Sequence, residues 1–131
     1  MKYILMMNTM KANTPGFPGW SQSDIKGHMA FMVNLYKDLQ KSGELVSAEG
    51  LAFPNEAKLV RAGKDGAPIT DGVFPESKEF LAGYWIVEVE TPEQAYAIAA
   101  RASAAPGAGG APLNMPIEVR QVMSGPPPEF L

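Results

Sequence analysis

A strand that runs straight into a helix is the feature of this chain that most restricts its fold. Gly83–Glu90 alternates between two faces, one with Trp85, Val87 and Val89 and the other with Tyr84, Ile86, Glu88 and Glu90. Alternation of this kind is typical of a strand that buries one face. Thr91–Gln94 follows with Thr at the N-cap, Pro at the first helical position and Gln at the third. An amphipathic strand followed by a helix predicts a mixed fold of helices and sheet.

A second helix is predicted over residues 24–42, after an N-cap at Ser21 or Ser23 and before a C-terminal Gly43. Apolar residues recur there at intervals of three and four, which is the period of a helix with one buried stripe. The predicted stripe contains Ile25, Met29, Met32, Tyr36 and Leu39, and Phe31 and Leu35 widen it.

Several shorter segments complete the predicted architecture. Strands are indicated by Tyr3–Asn8, Glu44–Leu51 and Ile117–Met123, and Lys58–Ala62 and Pro68–Thr70 flank the turn sequence GKDG to give a β-hairpin. The order of these elements is βαββαβ with an inserted hairpin. We therefore expect one α+β domain over residues 1–131: a ferredoxin-like antiparallel sheet with two helices on one face.

The composition of the chain argues against several classes of function. The chain has 131 residues, a net charge of −3, one His and no Cys. Because phosphate binding requires clustered Lys and Arg, we expect no nucleic-acid partner. We expect no metal and no other cofactor, since thiolate ligands are absent and a carboxylate metal site would need several converging oxygens. The apolar segments are too short for a membrane span, so we expect no membrane partner and a cytoplasmic location.

The sheet face without helices mixes charged and apolar side chains. We predict that Leu45, Ser47 and Glu49 lie on it beside Tyr84, Ile86, Glu88, Glu118, Arg120 and Val122. On this interpretation Val46, Ala48, Ile117, Val119 and Met123 face the helices. An antiparallel sheet can leave one face in water. The face is therefore either solvated or covered by a second subunit.

The segment TDGVFPESKEFLAGY, which begins at Thr70, resembles the signature of the YCII-related proteins, also called the DGPF-domain family. Their motif reads DGPF-x-E-[ST]-K-E-x-L-x-G-[YF], and Val73 stands where that motif has Pro. The resemblance implies membership of the dimeric α/β-barrel superfamily, in which two sheets pair face to face around a cavity. A homodimer with a small-molecule ligand in that cavity follows as an expectation.

Charged residues of the open face are the candidate site residues if such a cavity exists. Arg120 can hold a carboxylate or enolate through its planar guanidinium, and Glu49 or Glu118 can act as a base. Tyr84, Glu76 and Lys78 are further candidates for binding a substrate, since an extended segment places Glu76 and Lys78 on one side. The alternative is that these residues are solvated charges, or cross-strand ion pairs on a partly wet sheet.

Two further candidates have equally simple structural explanations. His28 is the default proton carrier near neutral pH, yet a His at the edge of an apolar stripe is often a half-buried structural residue. Asp71 is a candidate substrate ligand, or simply the Asp of an Asp-Gly turn. The His–Asp pair of better-studied YCII-like relatives does not map onto this chain. Their His aligns near Met32, and Arg101–Pro106 offers no Asp.

Two functions remain open at this point. One is a small-molecule enzyme or binder that uses a cavity at the homodimer sheet face. The other is a non-catalytic accessory or regulatory domain in which the sheet is only a dimer interface. The first predicts a closed, partly apolar cavity, and the second predicts a dry and well-packed interface. The sequence assigns neither a reaction nor a substrate.

Overall fold

The computed structural model describes residues 1–9, 17, 19–72 and 80–130. Its strands and helices follow one another along the chain as β1 (Lys2–Thr9), α1 (Gln22–Ser42), β2 (Leu45–Gly50), β3 (Lys58–Ala62), β4 (Pro68–Gly72), β5 (Phe80–Glu88), α2 (Pro92–Ser103) and β6 (Ile117–Gln121). Single turns of 3-10 helix occur at Pro54–Glu56, Ala108–Gly110 and Pro128–Phe130.

Four strands form one antiparallel sheet in the order β2-β5-β1-β6. The first strand of the chain therefore lies in the middle, between the two strands that come last. Strands β3 and β4 form a separate two-stranded sheet. This arrangement confirms the predicted α+β fold, which is compatible with the ferredoxin-like class, and it confirms the inserted hairpin.

Both helices begin at a predicted N-cap, which for α1 is Ser21 and not the alternative Ser23. The Ser21 hydroxyl accepts from the Asp24 backbone N–H at 3.0 Å, and the Asp24 carboxylate accepts from the Ser21 N–H at 3.0 Å. Thr91 and Gln94 form the same reciprocal pair at the start of α2. These bonds satisfy backbone donors that have no partner inside the helix. Helix α1 ends at Gly43, whose φ of 81° lies in the left-handed region that glycine adopts without strain.

The core lies between the sheet and the two helices. Its fully buried large side chains are Leu5 of β1, Leu35 of α1 and Val87 of β5. Helix α2 contributes mostly alanines, namely Ala95, Ala99 and Ala102, together with Ile98. Small side chains allow a helix backbone to approach a sheet closely, so this face of α2 can be buried with little bulk.

The buried stripe of α1 is rotated from the predicted one. Its buried residues are His28, Leu35 and Leu39, whereas Met29 and Tyr36 are exposed. Apolar residues occupy a wide arc of this helix, and the periodicity alone does not determine which part of the arc faces the sheet. The prediction that Met29 and Tyr36 are core residues was wrong.

Two expectations about the edge strands of the sheet were also wrong. A bulge between Leu45 and Ser47 shifts the register of β2, so Leu45 packs against the core and Val46 is exposed. A bulge inserts one residue and reverses the faces on one side of it, and simple alternation cannot predict this. At the other edge, β6 ends at Gln121 and Met123 is exposed instead of facing the helices.

Gly83 lies at a close backbone approach between β2 and β5. A Cβ atom at this position would lie 2.8 Å from the carbonyl oxygen of Glu49. Only glycine fits there without moving one of the strands. The glycine of the signature segment therefore has a structural role in holding β2 against β5.

Candidate functional site: the open face of the sheet

The sheet face opposite the helices carries two rows of side chains, which we call the open face. Residues directly opposite each other in an antiparallel sheet point to the same side, so the strand register defines the rows. One row is Glu49, Tyr84, Met6 and Glu118, and the next is Ser47, Ile86, Ile4 and Arg120.

The open face has an apolar centre and a charged rim. Its central residues Ile4, Met6, Tyr84 and Ile86 are half-buried. The residues on the two edge strands include Glu49, Glu118 and Arg120, which are exposed. An apolar patch rimmed by polar residues is typical of a surface that contacts another molecule.

Glu49 and Glu118 lie at opposite edges of the sheet. Three strand spacings separate them, which places their Cα atoms about 14 Å apart. Within one chain the two carboxylates therefore belong to opposite rims of the open face. Glu118 and Arg120 are two residues apart on β6, about 7 Å along the strand, so these two side chains are neighbours.

The ion-pair alternative can be checked among the described residues. Two salt bridges occur there: the N-terminal amine with Glu88 at 2.7 Å, and Arg101 with Asp38. Neither includes Glu49, Glu118 or Arg120. Within the described part of one chain, the cross-strand ion pair on this face is therefore that of Glu88 with the N-terminal amine.

Glu88 lies on the same side of β5 as Tyr84 and Ile86, opposite Lys2. The hydrogen bond from the N-terminal amine lowers the pKa of Glu88 below its usual range, and the charges of that amine and of Lys2 add to the effect. A surface groove of about 850 Å³ begins here and is lined by Lys2, Glu88 and residues 121–128. The groove extends the open face toward the last part of the chain.

His28 lies in the helix layer and not on the open face. It is 7% exposed, and its Nδ1 lies 2.9 Å from the carbonyl oxygen of Pro106. A carbonyl oxygen only accepts, so Nδ1 carries the proton and Nε2 is the basic nitrogen of the neutral ring. The rings of Trp20 and Phe17 have their centroids 5.4 and 6.0 Å from that of His28.

The contact with Pro106 is one of two polar links between α1 and the segment after α2. The other is the Asp24 carboxylate, which accepts from the Gly109 N–H at 3.1 Å. Hydrogen bonds from Ser21, first from its backbone N–H, and from Gly109 lower the pKa of Asp24. The surroundings of His28 are those of the structural residue weighed above, although it is more fully buried than the half-buried position expected.

The remaining candidates from the sequence are spread over other regions. Asp71 lies in strand β4 and is exposed, so the prediction of an Asp-Gly turn at Asp71 was wrong. Glu76 and Lys78 fall outside the described residues. The structure thus brings Glu49, Tyr84, Glu118 and Arg120 to one surface and places His28 and Asp71 elsewhere.

Sequence reasoning missed the contribution of β1 to the open face. The sequence predicted a strand at Tyr3–Asn8 without assigning its faces, and Ile4 and Met6 of this strand occupy the centre of the open face. Buried and half-buried residues alternate along β1, and this pattern arises because β1 is a central strand. The order of strands in the sheet, which the sequence does not specify directly, was needed to find it.

Two further properties bear on the site. Within the described ranges, no group of three or more His, Cys, Asp or Glu side chains is placed to hold a metal ion. Of the helices described, none has the length and apolar character needed to cross a membrane.

Comparison with known families agrees with the signature segment. The model of the YCII-related domain matches residues 1–111. This range includes β1 to β5 and α2 but ends before β6, so Glu118 and Arg120 lie outside the matched region. A search of curated proteins found no match to the chain.

Proposed function

The chain belongs to the YCII-related domain family, and we propose that it acts as a homodimer whose open faces enclose a site for a small polar or anionic molecule. The observation that carries this proposal is the half-buried apolar centre of the open face, bordered by Glu49, Glu118 and Arg120.

Pairing through the open face accounts for its apolar centre. Ile4 and Ile86 are opposite each other, and Met6 and Tyr84 are opposite each other in the neighbouring row. In a single chain this cluster faces water, which costs free energy in proportion to its apolar area. A second copy of the same face offers matching apolar surface, and two-fold symmetry makes the contact self-complementary.

The rim supplies the chemistry expected of a ligand site. Arg120 offers a planar set of donors for a carboxylate, and the Tyr84 hydroxyl can donate or accept. Glu118, one strand spacing from Met6 and two residues from Arg120, is the base candidate nearest to a bound anion. Glu49 lies beside Tyr84 at the other edge. With two copies, each type of carboxylate occurs twice around the enclosed space.

One observation favours the accessory-domain alternative. Glu118 and Arg120 are adjacent on the same face of β6 and carry opposite charges. A two-fold axis that crosses the strands between them would place each Glu118 over the partner's Arg120. In that arrangement the charges would close the rim of a dry interface and would not bind a ligand.

The dimer is tested with Ile86→Asp, and Val60→Asp is the matched control. Both changes place a carboxylate on a β-branched position of a strand, but Val60 lies in the hairpin. We expect Ile86→Asp to be monomeric in sedimentation velocity and Val60→Asp to keep the dimer. Equal association of the two variants would exclude the open face as the interface.

The ligand site is tested by screening small carboxylates and other small anions for a rise in thermal midpoint. A ligand present at about 100 times its Kd stabilises the native state by about 2.7 kcal/mol. We expect Arg120→Gln to lose the shift and Lys37→Gln, which removes an exposed positive charge from α1, to keep it. A dimer that binds none of the compounds supports the accessory-domain alternative.

A further inference from the structure

The strands β3 and β4 are the least buried of the described strands. Every residue of both strands is exposed. The turn between them is well formed: the Gly66 N–H donates to the Gly63 carbonyl at 3.0 Å, and the Gly63 N–H donates to the Ala67 carbonyl at 2.8 Å. A two-stranded ribbon is marginally stable in water without another surface to pack against. An ordered turn with wholly exposed strands therefore indicates a hairpin that is covered when the protein is assembled.

The two sides of the hairpin differ in composition. Leu59 lies opposite Asp71 and Arg61 lies opposite Ile69, so these four side chains share one side, which we call the arm face. Leu59 is 49% exposed and Ile69 is 38% exposed. Val60 and Thr70 form the centre of the other side.

The arm face has a diagonal pattern. Leu59 and Ile69 occupy one diagonal of the four positions, and the opposite charges Arg61 and Asp71 occupy the other. A two-fold axis parallel or perpendicular to the strands would place charged groups over apolar ones, and an axis along the charged diagonal would place Arg61 over Arg61. An axis along the apolar diagonal places no charged group over an apolar one and no charge over a like charge.

From this pattern we infer that the arm face docks on the arm face of a second copy of the chain. The two-fold axis runs along the Leu59–Ile69 diagonal, so each apolar residue meets its own copy and each Arg61 lies over the partner's Asp71. The strands of the two hairpins then cross at about 70°, because a diagonal that spans one strand spacing and two residues lies about 35° from the strand direction.

Docking through the face fits this hairpin better than pairing through its edges. Pro68 cannot donate a backbone hydrogen bond, and Lys58 places a charge on β3. Proline and lysine on an edge strand both oppose the addition of another strand. The strands are therefore protected at their edges, while the arm face offers apolar side chains.

The contact is small. Four side chains per copy cover much less than the ~800 Å² per partner of a standard interface. We therefore expect weak association that is measured at high protein concentration. The inference concerns a surface separate from the open face, and it does not require a ligand site.

The arm contact is tested by comparing Leu59→Asp with Val60→Asp in sedimentation equilibrium. The two positions are adjacent on β3 and both are largely exposed, at 49% and 61%, but they lie on opposite sides of the hairpin. Both variants are also measured with Ile86→Asp, which removes pairing through the open face. We expect Leu59→Asp to weaken the association by about tenfold or more, as removal of a central contact does, and Val60→Asp to leave it unchanged. Equal association constants would overturn the inference, whether or not the open face forms a dimer.

A charge exchange gives a second, independent test. Arg61→Asp alone and Asp71→Arg alone place like charges over each other, so each is expected to weaken association. The double variant Arg61→Asp/Asp71→Arg restores opposite charges and should recover it. An equimolar mixture of the two single variants should associate more strongly than either alone. Failure of both the double variant and the mixture to recover association would overturn the proposed axis.

Discussion

The two faces of the same four strands reach very different degrees of burial within one chain. On the helix side Leu5 and Val87 are completely buried, whereas their immediate neighbours Ile4 and Ile86 on the open face are half-buried. The residue types are nearly the same on the two sides. The difference shows that the helices cover only one of the two apolar surfaces, and the second is the surface that the proposed dimer would cover.

The largest expected effect is the difference in stability between substitutions on the two faces of the sheet. Leu5→Ala removes a fully buried side chain and should lower the free energy of unfolding by about 2–5 kcal/mol at any protein concentration. Ile86→Ala should cost about 1 kcal/mol in dilute protein, because the side chain is already half exposed. Urea denaturation at two protein concentrations provides the measurement. If Ile86→Ala costs as much as Leu5→Ala in dilute monomer, the contrast between the faces is wrong.

A second prediction concerns the close backbone contact between β2 and β5. Both faces of the sheet depend on this contact. Gly83→Ala brings a Cβ atom against the Glu49 carbonyl and should destabilise the protein by about 1–3 kcal/mol. Gly50→Ala is the control, because a Cβ atom there meets no other atom within 4 Å. Thermal unfolding of the two variants should differ clearly. Similar midpoints would show that the strands separate easily enough to accept a side chain.

A third prediction concerns the polar link on the helix side. His28→Gln loses the ring nitrogen that donates to the Pro106 carbonyl, and we expect a loss of about 1 kcal/mol of stability. Met29→Gln, at the neighbouring exposed position, should change stability by less than about 0.5 kcal/mol. A stable His28→Gln protein that has lost ligand binding would assign His28 to the site and would contradict the structural role.

The smallest effect is a dependence on pH. The pKa of Asp24 is lowered in the folded protein, first by the Ser21 backbone N–H. The ionised carboxylate therefore stabilises the fold fully above the unfolded pKa, and this contribution is lost as the pH falls through the folded pKa. Asp24→Asn should be less stable than the wild type at neutral pH, and the difference should shrink in acid. A difference in stability that stays constant with pH would indicate that the charge of Asp24 contributes nothing to the free energy of unfolding.

Local signals in the sequence were sufficient for most of the fold. The capping box of α2, the terminal Gly43 and the hairpin turn depend on a few adjacent residues, and each was predicted correctly. The buried side of α1 and the bulge in β2 were not, because both are determined by packing between distant segments. The same limit applies to the site. Residues of β5 and β6 were assigned to the open face from alternation, but Ile4 and Met6 required the strand order.

The position of β1 also affects how the protein is made. It is synthesised before the other strands of its sheet, yet its neighbours are β5 and β6, which are synthesised after β2. The four-stranded sheet therefore cannot close until β5 and β6 have been synthesised, and the apolar residues of β1 have no strand partner before then. Contacts between such distant segments slow folding and leave an unpaired strand available to other chains.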